Sequence, residues 1–530
     1  MPHNFLDQQL AQHIAPDNPA MQTIVMQLSN ELSKGHTCIQ IDDEQMQAVQ
    51  SFQSPALVLE DNLLYLKRYA QYETQLAILL KTIAKRHSPD LIEEAALKNH
   101  FNDDYQAQAA QLALQNDLAI ITGGPGTGKT TTVVKILGLL KQTNPSLTIS
   151  LCAPTGKAAM RLQESISGSK SFLTEFSDEV VAQIPENVMT IHRLLGARPF
   201  TTDFRHNTDN PLLSDVVVVD EASMIDLALM VKLVEALKPS AKLILLGDKD
   251  QLASVESGSV LADCYQALQQ NRVELQNTYR FSGKIKTLAV AVNQQQETEA
   301  LSVLNNSTAD DPIEWFNLEN TSLKTFTIKH YQPYFEQLQS YNEQDNAMDN
   351  HRWISTCFKC FNQFQILAAT RQGDKGVEHL NEMCESTLRK NTERWYSGRP
   401  VMILRNDSNT QLFNGDIGLC LPSPLHENKL RVFFPDGNNF RSFAPTRLPE
   451  HETAFAMTIH KSQGSEFNHV LIVLPDTLDE HNQLVTKELL YTAITRGKSR
   501  VSIQSNPAVL TDCINTKVTR LSGLQKKLAD

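Results

Sequence analysis

The chain has 530 residues, of which 41% are hydrophobic and 20% charged, with 60 acidic against 48 basic side chains and a formal net charge of −12. This is the composition of a soluble globular protein of several domains, about three or four in number, and no apolar run of 18 or more residues is present to span a membrane. The acidity argues against a non-specific DNA coat, but it leaves local basic grooves free to bind phosphates.

The first residues, Met1–Asp7, lack the basic-then-apolar pattern of a signal peptide. Eight scattered cysteines suit reduced thiols, so a cytoplasmic location is expected. Residues 1 to about 95 read as helical, with Leu66, Tyr69, Leu76 and Leu80 at helical spacing. Leu118-Ala119-Ile120-Ile121 then reads as a buried strand. Gly123-Gly124-Pro125-Gly126-Thr127-Gly128-Lys129-Thr130 follows it, and a helix starts at Thr131-Thr132-Val133-Val134. Strand, G-x-x-x-x-G-K-[ST], helix is the pattern of a phosphate-binding P-loop. Glycines let the backbone curl so that several N–H groups face one anion. Lys129 can reach the β- and γ-phosphates and the Thr130 hydroxyl can ligate Mg²⁺, so a nucleoside triphosphate is expected here.

Further strands are predicted at Thr148–Ala153, Val216–Asp220 and Lys242–Gly247, the alternation of a parallel α/β sheet. Thr201–Pro211 is polar and reads as an exposed hairpin or loop. Val216-Val217-Val218-Val219 is a strand buried on both faces, and Asp220-Glu221 emerges at its C-terminal edge, where open α/β sheets bind ligands. In that setting Asp220 holds Mg²⁺ and Glu221 orients and deprotonates the attacking water. Gln251, in the turn after Leu245-Leu246-Gly247, is placed to touch the γ-phosphate or the water.

From Ser282 to about Asn362 the pattern is helical and polar, with a flexible loop expected at Tyr341–Asn350. Cys357-Phe358-Lys359-Cys360 is a lone C-x-x-C; a zinc site needs a second pair at usable spacing, so helix packing is weighed above a metal or redox role. A second α/β region runs from Phe364. It is interrupted between about Arg405 and Glu452 by the β-like runs Asp416–Leu421, Lys429–Phe434 and Asn439–Ala444, with a turn at Pro435-Asp436-Gly437, which suits a small inserted β-barrel. Two arginines, Arg280 and Arg496, are candidates to neutralise charge in a phosphoryl-transfer transition state. If Arg496 belongs to the second α/β domain, nucleotide binding draws the two domains together and hydrolysis releases them.

The ordered series resembles the motif set of superfamily 1 helicases. It comprises Gln106, Gly123–Thr130, Ala153-Pro154-Thr155-Gly156-Lys157-Ala158-Ala159, Thr190–Gly196, Asp220-Glu221-Ala222-Ser223-Met224, Gly247–Gln251, Tyr279-Arg280-Phe281, Thr458–Phe467 and Tyr491–Arg496. Several spellings are similar to the RecD family in particular, the alpha subunits of exodeoxyribonuclease V. They include Thr458-Ile459-His460-Lys461-Ser462-Gln463-Gly464-Ser465-Glu466-Phe467, Trp395–Ile403, Leu412–Gly418 and Arg447–Glu452.

The resemblance implies an α/β fold with two RecA-like parallel-sheet domains, a helical N-terminal domain and an inserted SH3-like β-barrel. The expected division is a docking domain over 1–98, domain 1A over 99–282 with a hairpin near 197–213, and a helical linker over 283–363. Domain 2A then takes 364–404 and 453–530, and insertion 2B takes 405–452. It further implies ATP- and Mg²⁺-driven 5′→3′ translocation on single-stranded DNA and work on double-stranded DNA ends. The implied partners are the beta and gamma subunits of a RecBCD-type complex, with no membrane. The nucleotide-binding set becomes Gln106, which resembles the reader of the adenine edge, with Gly123, Gly124, Pro125, Gly126, Thr127, Gly128, Lys129, Thr130 and Thr131. The catalytic set is Lys129, Asp220, Glu221, Gln251, Arg280 and Arg496, with Thr130 and Asp220 on the metal. Thr155, His192 and Thr458 sit in motifs that face DNA, although each also reads as an ordinary strand-end cap.

His36-Thr37-Cys38 and Leu63–Tyr69 resemble the docking domain, here trimmed before a P-loop that begins at Gly123. No paired-carboxylate-plus-lysine cluster has a nuclease arrangement, so the nuclease is expected in the beta subunit. Two other readings stay open at this stage: a stand-alone RecD-like helicase, and a nucleotide-bound scaffold that regulates a complex without moving DNA.

Overall fold

The computed structural model describes residues 4–87, 97, 100, 101, 103–198, 201–254, 256–279, 283–308, 310–316, 322–342, 347–388, 393–407, 409–437, 439–478 and 485–529. The chain divides into two compact units, one made of Met1–Tyr279 with Thr519–Asp530 and the other of Arg280–Val518.

The first unit opens with helices Phe5–Ile14, Pro19–Ser33 and Asp43–Phe52 and a three-stranded antiparallel sheet. Its strands are β1 (Ile39–Gln40), β2 (Leu57–Glu60) and β3 (Leu63–Leu66), in the order β1-β3-β2. This corrects the all-helical reading of the N-terminal region. Leu63-Leu64-Tyr65-Leu66 pairs with Leu57–Glu60, so the helical periodicity begins only with helix Lys67–Ala84, which buries Leu76 and Leu80.

Next comes a six-stranded parallel sheet of β4 (Leu118–Gly123), β5 (Ile149–Ala153), β6 (Val188–Thr190), β7 (Val216–Val219), β8 (Lys242–Gly247) and β9 (Arg272–Leu275). Their order is β6-β5-β7-β8-β4-β9. Strands β4, β7 and β8 are buried at every position, because helices cover both faces. Alternation sorts their side chains. Ile120, Val217, Val219, Leu243 and Leu245 enter one core, while Ile121, Val216, Val218, Ile244 and Leu246 enter the other. Each such side chain stabilises the sheet by roughly 1.5–3 kcal/mol relative to exposure.

The first of these cores also holds Leu76 and Leu80 of helix Lys67–Ala84, and Leu524 and Leu528 of the C-terminal helix Leu524–Ala529. Thr519–Asp530 therefore belongs to the first unit and not with domain 2A, as the division at 453–530 had it, because its apolar side chains complete the first unit's core. The Thr201–Pro211 segment carries two isolated antiparallel bridges, Ala197–Phe204 and Asn207–Asn210, instead of named strands.

In the second unit, a parallel sheet contains β10 (Ile313–Phe316), β11 (Phe364–Ala368), β17 (Ala456–Thr458), β18 (Phe467–Val473) and β19 (Gly497–Gln504), in the order β10-β19-β18-β11-β17. Strand β10 lies inside the stretch expected to be helical and forms the sheet's edge on β19. Ala347–Asn350, expected in a loop, starts helix Ala347–Phe361; the rest of that expected loop lies partly outside the described residues. An antiparallel sheet follows the order β15-β14-β13-β12-β16, from β12 (Arg399–Ile403), β13 (Ile417–Ser423), β14 (Lys429–Asp436), β15 (Asn439–Phe443) and β16 (His451–Thr453). It begins at Arg399, earlier than the expected edge at 405, because β12 pairs with both β13 and β16.

Candidate nucleotide site

The site is built at the C-terminal ends of β4, β8 and β7. Thr122 pairs with Gly247 and Val219 with Leu245, so Gly123, Asp248 and Asp220 emerge along one edge of the sheet. The loop after β4 turns through Gly126 and Gly128, whose φ angles of 79° and 80° lie in the region that favours glycine. A Cβ on Gly128 would meet Nε2 of Gln106 at 2.7 Å. The loop braces itself: Thr127 Oγ1 donates to the Gly124 carbonyl at 2.9 Å. Helix Lys129–Thr143 starts at Gly128 with no side chain bonded to its first turn, which leaves those N–H groups to meet an anion. Lys129 Nζ donates to the carbonyls of Gly123 at 2.6 Å and Gly124 at 3.1 Å. Pro125 and Thr127 are buried, Gly124, Gly126 and Thr130 half-buried and Thr131 exposed.

Asp220 and Glu221 follow β7. Glu221 adopts a left-handed backbone, φ 53°, and its N–H donates to Asp220 Oδ1 at 2.9 Å. Burial and then the Glu221 charge raise the Asp220 pKa, while Lys129 pulls it down. After β8, Asp248 is buried, and its pKa is pushed up to about 6 by desolvation, with Lys129 again opposing. The Lys129 ammonium thus acts on both carboxylates. Gln251 is buried and donates from Nε2 to Asp248 Oδ2 at 2.9 Å, while the Asp250 N–H donates to Oδ1 at 3.0 Å.

Three residues that the sequence reading did not place are structured around Gln106. Asp103 caps helix Asp104–Gln115 by accepting from the N–H groups of Tyr105 at 2.8 Å and Gln106 at 3.2 Å. Its other oxygen accepts from Asn277 Nδ2 at 2.8 Å and the Tyr279 hydroxyl at 2.5 Å. The Tyr279 N–H donates to the Gly126 carbonyl at 2.8 Å, which ties this network to the phosphate loop. Gln106 Nε2 reaches the Thr127 carbonyl at 3.4 Å. Asn277 and Tyr279 lie three and one positions before Arg280, a signal that the sequence did offer. The Tyr279 side chain is 64% exposed, an aromatic face held open beside Gly128.

Arg280 lies outside the described residues. Arg496 is in the second unit, buried, with Nε on the Thr492 carbonyl at 3.2 Å and Nη1 on the Ser465 carbonyl at 3.3 Å. Thr155 caps helix Gly156–Lys170 through Oγ1, which accepts from Ala158 N–H at 3.2 Å. Thr458, at the end of β17 in the second unit, accepts from Lys461 N–H at 3.3 Å. His192 is exposed on helix Ile191–Leu195, its ring edge-on to Phe204 at 5.7 Å.

Residues 106–257 match the family model described as an AAA domain, and residues 453–503 match the UvrD-like helicase C-terminal domain. The chain is 37% identical over 491 residues to the RecBCD enzyme subunit RecD of Mycolicibacterium smegmatis, covering 90% of this chain and 84% of that protein. It is 36% identical to the protein of the same name from Haemophilus influenzae, covering 94% and 84%. The ATP-dependent RecD2 DNA helicase of Deinococcus radiodurans is 28% identical, with 94% of this chain and 62% of that protein covered. A phosphate loop backed by two acidic strand ends, and relatives of this identity matched over most of both chains, place the chain in the RecD family of superfamily 1 DNA helicases.

Proposed function

We propose that this chain is the ATP-hydrolysing 5′→3′ single-stranded DNA translocase and helicase subunit of a RecBCD-type helicase–nuclease, which processes double-strand-break ends for homologous recombination repair. The observation that carries the reading is the strand register that brings the phosphate loop with Lys129, Asp220-Glu221 and Asp248 with its partner Gln251 to one edge of the sheet. A site that only held a nucleotide would need no water-activating base and no transition-state charge neutralisation. The partners are beta and gamma subunits, as the names of the M. smegmatis and H. influenzae relatives imply for those proteins. Identity to these two relatives, at 37% and 36%, is higher than to the D. radiodurans RecD2 DNA helicase, at 28%.

The donor set fits Mg²⁺. A hydroxyl at Thr130 and a carboxylate at Asp220 are hard oxygen ligands, and burial and then the Glu221 charge raise the Asp220 pKa, both of which a bound cation would oppose. The ion would offset negative charge on the bound phosphates. Lys129 exchanges its two loop carbonyls for phosphate oxygens, and the N–H groups of Gly124 and Gly126–Thr131 surround them. Glu221 orients the water and takes its proton. Gln251 senses the γ-phosphate, Arg280 and Arg496 neutralise developing charge, and Gln106 reads the adenine edge. Thr155, His192 and Thr458 contact DNA phosphates without reading sequence. The divisions 1–98, 99–282 with 519–530, 283–363, 364–398 with 453–518, and 399–452 are the working modules of this motor.

Lys129→Gln tests the reading. Turnover of ATP stimulated by single-stranded DNA should be abolished while the circular dichroism spectrum is kept; full turnover in the variant would refute it. Strong processive unwinding of a 5′-tailed duplex by the chain alone would favour the stand-alone reading instead.

A further inference from the structure

The segment that returns to the first unit after Val518 brings one arginine to the back of the candidate site. Arg520 Nη1 donates to the carbonyls of Glu256 and Gly258, both at 2.9 Å, and Nη2 donates to the Ser254 carbonyl at 2.5 Å. These three carbonyls belong to the turn that follows Gln251. The Ser254 hydroxyl also closes onto the Glu256 and Gly258 carbonyls, at 2.9 and 3.4 Å. The guanidinium rests against Gly35, where a Cβ would come within 2.7 Å of Cζ, so only glycine leaves room for it. Gly258 N–H in turn donates to the Gly35 carbonyl at 2.9 Å, and Ser257 Oγ to the Leu32 carbonyl at 3.2 Å.

The same turn is tied to the acidic strand end. Leu227 N–H, four residues beyond Ser223, donates to the Ser257 carbonyl at 3.2 Å. Leu227 starts helix Leu227–Glu235, which the short turn Ala222–Met224 joins to Asp220-Glu221. Arg520 itself is fixed in place. Beyond it, the Leu521 carbonyl accepts from Thr37 N–H at 3.0 Å, and buried Glu73 Oε1 accepts from Ser522 Oγ at 3.0 Å and Gly523 N–H at 3.1 Å.

We propose that Arg520 is a positioning residue for ATP hydrolysis: by gathering the carbonyls of Ser254, Glu256 and Gly258 it fixes the turn that seats Gln251 and Asp248 relative to Asp220-Glu221. Three charge-assisted hydrogen bonds to one turn are a rigid planar grip that a lysine cannot reproduce. The inference rests on the chain being an ATPase. A displacement of about 1 Å at a reacting group can lower a rate by ~10²-fold without removing any contact to the ligand. The turn lies behind Gln251 and outside the phosphate loop, so Arg520 acts on turnover and not on nucleotide affinity.

The experiment compares wild type, Arg520→Ala, Arg520→Lys and Lys526→Ala, each as the full chain in the complex in which it purifies. It measures kcat and KM for ATP with saturating single-stranded DNA, together with the affinity for a fluorescent ATP analogue. Lys526 pairs with exposed Asp61 at the surface and serves as the control. Arg520→Ala is expected to lower kcat about tenfold or more with affinity held within about threefold, Arg520→Lys to fall between, and Lys526→Ala to match wild type. An unchanged kcat in Arg520→Ala would overturn the proposal. So would a parallel loss of kcat and analogue affinity in both arginine variants, the sign of a purely structural role. A wild-type chain without DNA-stimulated turnover would overturn the ATPase reading first, and this proposal with it.

Discussion

The Tyr279 hydroxyl and the Asp103 carboxylate, 176 residues apart in the chain, share a 2.5 Å hydrogen bond beside the phosphate loop. The bond raises the Tyr279 pKa to about 12, with burial adding to it. Burial alone would raise the Asp103 pKa, but donors from Tyr279, Asn277 and two backbone N–H groups outweigh it and hold the carboxyl below its ordinary value. Tyr279→Phe removes one hydrogen bond, worth about 0.5–1.5 kcal/mol, and should raise KM for ATP roughly two- to tenfold with kcat nearly kept. Asp103→Ala also removes the helix cap under Gln106, worth about 0.5–2 kcal/mol, and should raise KM further. Steady-state kinetics with ATP as the varied substrate checks both, and unchanged KM in the pair of variants would show that the network does not support the base end of the site.

Asp220 gives a pH signature. Its folded pKa is raised by burial and by Glu221. A carboxylate raised in this sense weakens the fold where it is ionised, and the cost fades as pH falls through the raised value toward the ordinary 3.8. Asp220→Asn removes the charge. The variant should therefore be more stable than wild type at pH 8, by on the order of 1–3 kcal/mol. That gap should narrow on acidification and vanish near the ordinary carboxylate value. Thermal unfolding across pH, without nucleotide or Mg²⁺, measures it; a gap constant in pH would contradict the buried-charge account. ATP turnover should be lost in the variant at every pH.

Glu73 anchors the returning segment. Its Oε1 accepts from Thr37 Oγ1 at 2.6 Å, as well as from Ser522 and Gly523, and its Oε2 lies 3.4 Å from Lys527 Nζ. Glu73→Ala removes the shared acceptor of Ser522 and Gly523, while Lys527 keeps Glu60 at 2.7 Å and Thr37 keeps the Leu521 carbonyl at 3.2 Å, so the cost is about 1–3 kcal/mol. Trypsin should then cut at Arg520, Lys526 and Lys527 much faster than in wild type. Equal cleavage rates would show that the segment is held without Glu73.

The central sheet was legible because its strands are buried on both faces. Val216–Val219 and Lys242–Gly247 read as unbroken apolar runs bounded by polar turns, and the structure keeps those bounds to within a residue. Strands β2 and β3 escaped because four-residue apolar runs fit a helix or a strand equally well until a partner is known. Strand β10 escaped because a short edge strand inside a polar stretch carries little pattern. Motif spacing brought Lys129, Asp220 and Gln251 forward as candidates, and the fold gathers them at neighbouring strand ends. Asp103 was not legible, because its role depends on Asn277 and Tyr279, which only the fold brings to it. The position of Arg520 was equally hidden: nothing local shows that a residue beyond the second α/β unit returns to the first.

That return sets an order on the birth of the molecule. Leu76, Leu80, Leu524 and Leu528 share one core, yet the whole second unit lies between the two pairs in the chain. At a synthesis rate of about 5–20 residues per second, the ribosome needs roughly 10–50 s to pass from Tyr279 to the segment that closes that core. Throughout that interval the first unit presents an open apolar face to solvent, a surface that chaperones bind. A nascent chain that stalls within the second unit never covers the face, so incomplete products carry their own mark for removal.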